Sequence, residues 1–193
     1  MPPRLTVTET ARLRLRELEA ADAPFILELL TDPDFRANVG DRGVHDLESA
    51  RRYAEESAGA SYRAHGFGLW LVEHKSDARP LGLCGLLRRD SHPDTELGFA
   101  LLPHARGRGY ALEAGRATLE VAHTRFGLER LVAITAPANG ASIRVLERLA
   151  FRYQRMVRFT GDGESRLFVR ENPAAAAEPA GLPDSSSLTK VRE

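Results

Sequence analysis

Apolar and charged residues alternate through Arg12-Leu13-Arg14-Leu15-Arg16, the period-two pattern of a strand with one face buried. The period then lengthens. Asp22 stands at an N-cap with Pro24 in the first turn, and residues 25–30, FILELL, supply the apolar side of a helix that Thr31-Asp32-Pro33 ends. Residues 35–43 read as a loop. A second helix is predicted from about Asp46 to Ser57, with Leu47, Ala50 and Ala54 inward and Glu48, Arg51, Arg52 and Glu55 outward. Three strands follow one another: residues 67–73 and 80–87 about a turn at Lys75-Ser76-Asp77, then residues 95–102 beyond a turn at 90–94.

Helical periodicity returns near Gly109. Ala111, Leu112, Gly115, Thr118, Leu119, Ala122 and Phe126 form one stripe, Glu113, Arg116, Glu120 and His123 lie opposite, and Gly127 is placed as a C-cap. Residues 131–135, LVAIT, are wholly apolar and read as a strand buried on both faces. Strand, helix and apolar strand make a crossover unit, which predicts that 131–135 runs parallel to 95–102. Asn139 then sits where an N-cap belongs, before a short helix with Ile143, Leu146, Leu149 and Ala150 on its apolar side. Residues 151–159 and 164–170 form a final hairpin across Gly161-Asp162-Gly163. The element order is β-α-α-β-β-β-α-β-α-β-β: an α/β (α+β) chain with a mixed, mostly antiparallel sheet of about seven strands.

At 193 residues, 42% hydrophobic and 28% charged, residues 1–170 make one globular domain. Residues 171–193, rich in Ala, Pro, Ser and Gly, have little to bury and read as a disordered tail. Lys plus Arg and Asp plus Glu are each 27, a balance that argues against a nucleic-acid partner. The first ten residues lack the apolar centre of a signal peptide, and no apolar run approaches the roughly 18 residues of a membrane span. A cytoplasmic protein without membrane contact is expected. The single cysteine, Cys84, lies in an apolar strand and reads as a core residue, and the six histidines show no metal-ligand spacing, so no metal is expected.

The chemistry concentrates at Arg106-Gly107-Arg108-Gly109-Tyr110-Ala111, between a strand and a long helix. A helix N-terminus leaves its first N–H groups unpaired and carries partial positive charge, and glycines just upstream let a ligand approach the main chain. This is the composition of an anion cradle, with phosphate the usual anion. A P-loop is disfavoured, because no Gly-Lys-Ser or Gly-Lys-Thr follows.

With the Asn139 helix, this order resembles the GNAT superfamily of acetyl-coenzyme A dependent N-acetyltransferases over about residues 8–170. Arg106, Gly109 and Ala111 match the family's pyrophosphate pattern of Gln or Arg, two residues, Gly, one residue, and Gly or Ala. The strings at 107–114 (GRGYALEA) and 139–151 (NGASIRVLERLAF) are similar to the branch that contains the ribosomal-protein N-terminal acetyltransferases. Ala150 replaces that branch's common glycine, a departure expected to affect packing alone.

The resemblance implies a GNAT fold with a parallel strand pair at the cofactor site and helices on both faces. It implies direct transfer of an acetyl group from acetyl-CoA to a primary amine, with coenzyme A as product. Backbone N–H groups of Gly107, Arg108, Gly109, Tyr110 and Ala111 would hold the pyrophosphate, with charge from Arg106 and Arg108. The parallel strands would diverge so that the pantetheine arm pairs with main chain at Ala100, Leu101 and Leu102, the N–H of Leu101 or Leu102 polarising the acetyl carbonyl. Glu96, on the strand leading there, is either the base that deprotonates the amine or a solvent-facing or salt-bridged residue. Asn139 would contact the pantetheine arm as well as cap its helix. Ser142 or water would protonate the leaving thiolate, since Leu146 stands where many relatives carry a tyrosine. Trp70 faces either the acceptor groove or the outer side of the sheet, and Phe35, Arg36 and Asn38 would line the acceptor site by fold analogy. The acceptor is read as a protein N-terminal α-amine. A small-molecule amine, such as an antibiotic or metabolite, and a non-catalytic acyl-CoA sensor are the alternatives, and the chain is a monomer or homodimer.

Overall fold

The computed structural model describes residues 5–89, 92–158 and 163–171. The turns expected at 90–94 and 161–163 fall partly outside these residues, and all of the tail beyond Glu171 does. Eight strands form one sheet in the spatial order β1 (Thr6–Glu9), β2 (Leu13–Arg16), β3 (Leu69–His74), β4 (Pro80–Leu87), β5 (Thr95–Leu101), β6 (Arg130–Thr135), β8 (Glu164–Glu171) and β7 (Arg152–Arg158). All neighbours run antiparallel except β5 and β6, which run parallel as the crossover pattern requires. The strand that periodicity missed is β1. It is short and half exposed, and it is held by pairing with β2, Thr8 opposite Leu15, rather than by a buried face.

Two apolar layers cover the sheet. On one face α1 (Ala23–Thr31), α2 (Pro33–Val39) and α3 (Leu47–Arg52) bury Ile26, Leu29, Leu30, Phe35 and Ala50 against Leu71 and Leu83, with Tyr62 of α4 (Gly59–His65) packed beside them. On the other, α5 (Tyr110–Thr124) and α6 (Gly140–Arg148) pack Ala114, Ala122 and Leu146 over Leu13, Leu15, Val72, Leu86 and Phe168. Strand alternation puts Trp70 in this second layer, fully buried, so it faces neither the acceptor groove nor solvent. Arg16 is also buried. Its guanidinium pairs with both oxygens of Asp22, at 2.7 and 2.8 Å, and with Glu73 at 3.0 Å, joining β2, β3 and the start of α1.

The first helical region departs from the pattern in two ways. Residues 35–39, the first part of the loop expected at 35–43, belong to α2. Asp32, which ends α1, is also the N-cap of α2, accepting the Phe35 N–H at 3.0 Å, and Pro33 occupies the first turn. One residue serves as stop and start, so a reading that spends it on the stop loses the second helix. The helix expected from Asp46 to Ser57 continues to His65, because α3 passes through a π-helical segment, Tyr53–Ala58, into α4. Leu47, expected inward, is 46% exposed, being the first residue after the Asp46 cap; the buried side begins at Ser49 and Ala50.

Ala150 has φ 62°, at the C′ position of α6. Phe151 N–H bonds to Leu146 O at 3.0 Å and Ala150 N–H to Glu147 O at 2.9 Å, the two bonds of a Schellman cap. The expectation that replacing glycine here affects packing alone is therefore wrong: the alanine holds a left-handed backbone that costs roughly 1–2 kcal/mol.

Candidate active site

The site starts from a failure of pairing. β5 and β6 are in register only at Thr95–Leu131 and Glu96–Val132, and beyond these residues they separate. β6 keeps its ladder with β8 as far as Thr135, and β5 keeps its ladder with β4 as far as Leu101, so the gap opens inside an otherwise continuous sheet. Main-chain groups facing the gap have no strand partner, and unpaired backbone in a sheet interior is a ready template for an extended ligand.

Parity decides which groups those are. The Leu102 N–H is donated to Leu81 O at 2.9 Å, so alternate residues Ala100 and Leu102 direct their main chain toward β4. Phe99 and Leu101 direct theirs into the gap. Of the two N–H groups expected to polarise a carbonyl, that of Leu102 is therefore already used and that of Leu101 is available. Ala100 and Leu101 both line the cavity.

The loop at the mouth of the gap has the conformation of a cradle. Gly107 has φ 73° and Gly109 φ 80°, the latter serving as the N-cap of α5. A residue other than glycine is strained at either position. The helical ladder begins with Glu113 N–H to Gly109 O at 3.1 Å, so among the described residues the N–H groups of Gly107 through Leu112 meet no main-chain acceptor. The loop is braced from behind. Arg12 donates to Arg108 O at 3.2 Å and to Glu113 at 2.7 Å, Thr10 donates to Glu113 at 2.6 Å, and the Arg12 guanidinium lies 4.5 Å from the Tyr110 ring centroid. Burial raises the pKa of Glu113, but the hydrogen bonds from Thr10 and Arg12 outweigh it and hold the carboxyl below its ordinary range. Tyr110 is buried, so only its main chain is offered to a ligand.

Arg106 departs from its expected part. Its guanidinium binds Leu101 O at 2.9 Å and Asp32 at 2.7 Å, and it also pairs with Asp34. Two carboxylates offset its charge, so it fastens the loop to α2 and β5 rather than adding free positive charge. Arg108 is exposed, and its side chain has no ion pair among the described residues.

Glu96 is buried, lines the cavity, and is paired with Arg89 at 2.6 Å. The salt-bridge and site-lining readings both describe it. An ionised carboxylate offers about four lone-pair positions, so Arg89 leaves acceptor capacity directed elsewhere. Across the gap, Asn139 caps α6, its Oδ1 accepting the Ser142 N–H at 3.0 Å. Asn139 and Ser142 both line the same cavity, and the Ser142 hydroxyl makes no hydrogen bond among the described residues. Burial pushes the Cys84 thiol up to about 12, against a bond to Thr118 that lowers it, in keeping with a core residue.

One cavity of about 680 Å³ unites these parts. It runs from Gly107, Ala111, Asn139 and Ser142, through the gap, to a wall made by Phe35, Asn38, Val39, Arg42, Tyr53 and Ser57. Phe35 and Asn38 are placed as fold analogy implied; Arg36 is not, and approaches His45 at 3.4 Å instead. Arg42, Tyr53, Ser57 and Arg89 were not singled out from sequence. Tyr53 and Ser57 reach the wall from the π-helical segment, a deviation that single-sequence periodicity does not announce. Arg89, seven residues before Glu96 and across the β4–β5 turn, was legible only as a charge of opposite sign.

The comparisons with known proteins agree with this geometry. An acetyltransferase (GNAT) domain model matches residues 12–152. The uncharacterised protein YkkB of Bacillus subtilis (strain 168) is 31% identical over 152 residues, 77% of this chain and 87% of that one. The uncharacterised N-acetyltransferase p20 of Bacillus licheniformis is 26% identical over 159 residues, 82% and 89% respectively. An acetyltransferase structure from Agrobacterium tumefaciens str. C58 is 27% identical with a TM-score of 0.73, covering 89% of this chain and 96% of that one. A ribosomal L7/L12 α-N-protein acetyltransferase solved in complex with coenzyme A shares the fold at 15% identity, TM-score 0.67, over 86% and 98%. With the split strands, the unpaired N–H groups of the loop and a family model spanning most of the folded residues, the chain belongs to the GNAT family and is an acetyl-CoA-dependent N-acetyltransferase.

Proposed function

We propose that the acceptor is the α-amine at a polypeptide N-terminus, placing the chain in the branch of ribosomal-protein N-terminal acetyltransferases. The charge inventory of the cavity carries this reading. Its charged lining is Asp34, Glu96, Arg42, Arg89 and Arg106, and each of the two carboxylates contacts an arginine. The lining therefore carries more guanidiniums than carboxylates, and a polycationic acceptor would meet no net negative charge there. An α-amine with a pKa near ~8 is partly neutral at physiological pH and asks less of a base than a lysine-like amine near ~10. The motif strings at 107–114 and 139–151 support the branch.

Acetyl-CoA supplies an activated acyl group and a thiol leaving group. N–H groups of Gly107 to Ala111 hold the pyrophosphate at the positive end of α5. The Leu101 N–H, facing the gap, donates to the acyl oxygen as it gains charge. Glu96 accepts the amine proton directly or through water, and Ser142 donates toward the sulfur. Asn139 holds the start of α6 against the gap and offers its amide to the pantetheine arm. Phe35, Val39 and Tyr53 give the acceptor wall apolar surface for the chain beyond the amine, and Asn38, Arg42 and Ser57 give it polar groups.

Thiol release from acetyl-CoA over a panel of amines tests the proposal. Peptides with free α-amines and blocked lysines are expected to turn over faster than aminoglycosides, polyamines or simple alkylamines. Preference for a polycation would overturn the acceptor assignment, and acetyl-CoA binding without turnover on any acceptor would overturn the catalytic roles.

A further inference from the structure

A second cavity, of about 430 Å³, lies on the α5–α6 face of the sheet, lined by Arg116, Leu119, Glu120, His123, Arg148, Leu149, Ala150 and Arg170. Arg116, Glu120 and His123 come from α5, Arg148 is the last residue of α6, Leu149 and Ala150 follow in its C-terminal cap, and Arg170 comes from β8. Three guanidiniums face one carboxylate. Among the described residues none of these four charged side chains makes an ion pair, although most arginines around the acyl-transfer cleft do.

Two polar side chains in this cavity are also orphaned. Nε and Nη1 of Arg170 and Nδ1 of His123 are buried and have no hydrogen-bond partner among the described residues. Unsatisfied buried donors are rare in folded proteins and call for a specific cause. Burial draws the Arg170 pKa below its ordinary value, the mark of a guanidinium partly removed from water without a counter-charge. Water in the cavity would satisfy donors but would leave the excess positive charge uncompensated. Buried Leu119 and Leu149 and exposed Ala150 add apolar surface to the lining.

We propose that this cavity is a binding site for a small multivalent anion carrying phosphate or carboxylate groups, held by Arg116, Arg148 and Arg170. Guanidinium forks match both groups bidentately, and charge-assisted bonds of this kind are the strong class of hydrogen bond. The site is separate from the pyrophosphate loop, since it uses the middle and C-terminal part of α5 and the far end of α6.

The test is calorimetric titration of the full chain with inorganic phosphate and, in a parallel arm, with citrate, both at ionic strength held constant with chloride. Saturable binding is expected with at least one anion, and the arm that binds more tightly identifies the chemical source. Arg116→Gln/Arg148→Gln replaces two exposed side chains and is expected to weaken that binding by at least ~10-fold while leaving the melting temperature in chloride unchanged. Gly109→Val, which disrupts the pyrophosphate loop, is expected to leave it intact. Arg170→Met is expected to remove it and to raise the melting temperature in chloride, because an uncompensated buried charge is lost. Absence of saturable binding, equal affinity in the double variant, or loss of binding in Gly109→Val alone would each overturn the proposal.

Discussion

Replacing Gly109 separates the cradle's chemistry from its contribution to the fold. The residue has φ 80°, and a Cβ built there would meet Arg12 Nη2 at 3.6 Å, an ordinary contact. Alanine therefore clashes with nothing, and its cost is that of a left-handed backbone, about 1–2 kcal/mol. If the loop keeps its shape, stability falls by that amount, or roughly 2–8 °C in melting temperature for a chain of this size. If the backbone relaxes to negative φ instead, N–H groups between Gly107 and Leu112 swing off target. Each lost bond to a charged phosphate oxygen is worth about 1.5–3 kcal/mol, or roughly 10- to 150-fold in affinity. Gly109→Val adds β-branching and forces the second outcome. Initial rates of thiol release against acetyl-CoA concentration, with melting curves in parallel, read both effects. Gly127→Ala is the control: φ is 61°, a Cβ has open space, and the residue lies at the far end of α5. It should lower the melting temperature and leave KM for acetyl-CoA unchanged. A KM unchanged in Gly109→Val as well would refute the cradle.

Further predictions follow from the caps and pairs. Ala150→Gly relieves a strain of about 1–2 kcal/mol and costs about 0.4–1 kcal/mol of unfolded-chain entropy, so the melting temperature should rise, by up to roughly 6 °C; a fall would mean that the left-handed conformation is not strained. Asn139→Ala removes a cap worth about 0.5–2 kcal/mol. Its kcat/KM should fall further than that stability loss explains, and proportionate losses would reduce Asn139 to a cap. Asp32 has its pKa depressed: burial raises it, but the bonds from Arg106 and from the Phe35 N–H outweigh burial. A depressed carboxylate contributes stability above its unfolded pKa near ~4 and loses it as pH falls through the folded value. Asp32→Asn keeps a competent cap, so urea denaturation should show a deficit of roughly 0.5–1 kcal/mol at pH 7 that closes as the pH falls below ~4. A deficit independent of pH would assign the effect to packing.

The core of the fold was legible because its signals are local and periodic. The bounds of β4 match the apolar run at 80–87, and the parallel placement of β6 follows from an apolar strand after a helix. The Asn139 cap was legible because capping is a three-residue affair. What escaped either has a partner far away in sequence or rests on a backbone state that side-chain type does not show. Arg106 reads as a loop cation until Asp32 and Asp34 arrive from more than seventy positions upstream. Asp32 was read as a terminator, and its second duty as an N-cap shows only when Phe35 turns back on it. At Leu101 and Leu102 the backbone carries the distinction, and side-chain identity says nothing about which N–H faces the gap. Ala150 shows the converse, since its residue type conceals a backbone state that a glycine would have advertised.

The most direct measurement is the position of the acetyl group on a peptide that bears both a free N-terminal α-amine and an internal lysine. The peptide is incubated with the protein and acetyl-CoA and sequenced by tandem mass spectrometry. Acetylation of the α-amine, with the lysine untouched, is the predicted result, because the cavity offers paired carboxylates and an acceptor that starts partly neutral. Acetylation confined to the lysine, or none while the protein consumes acetyl-CoA on a small amine, would contradict it.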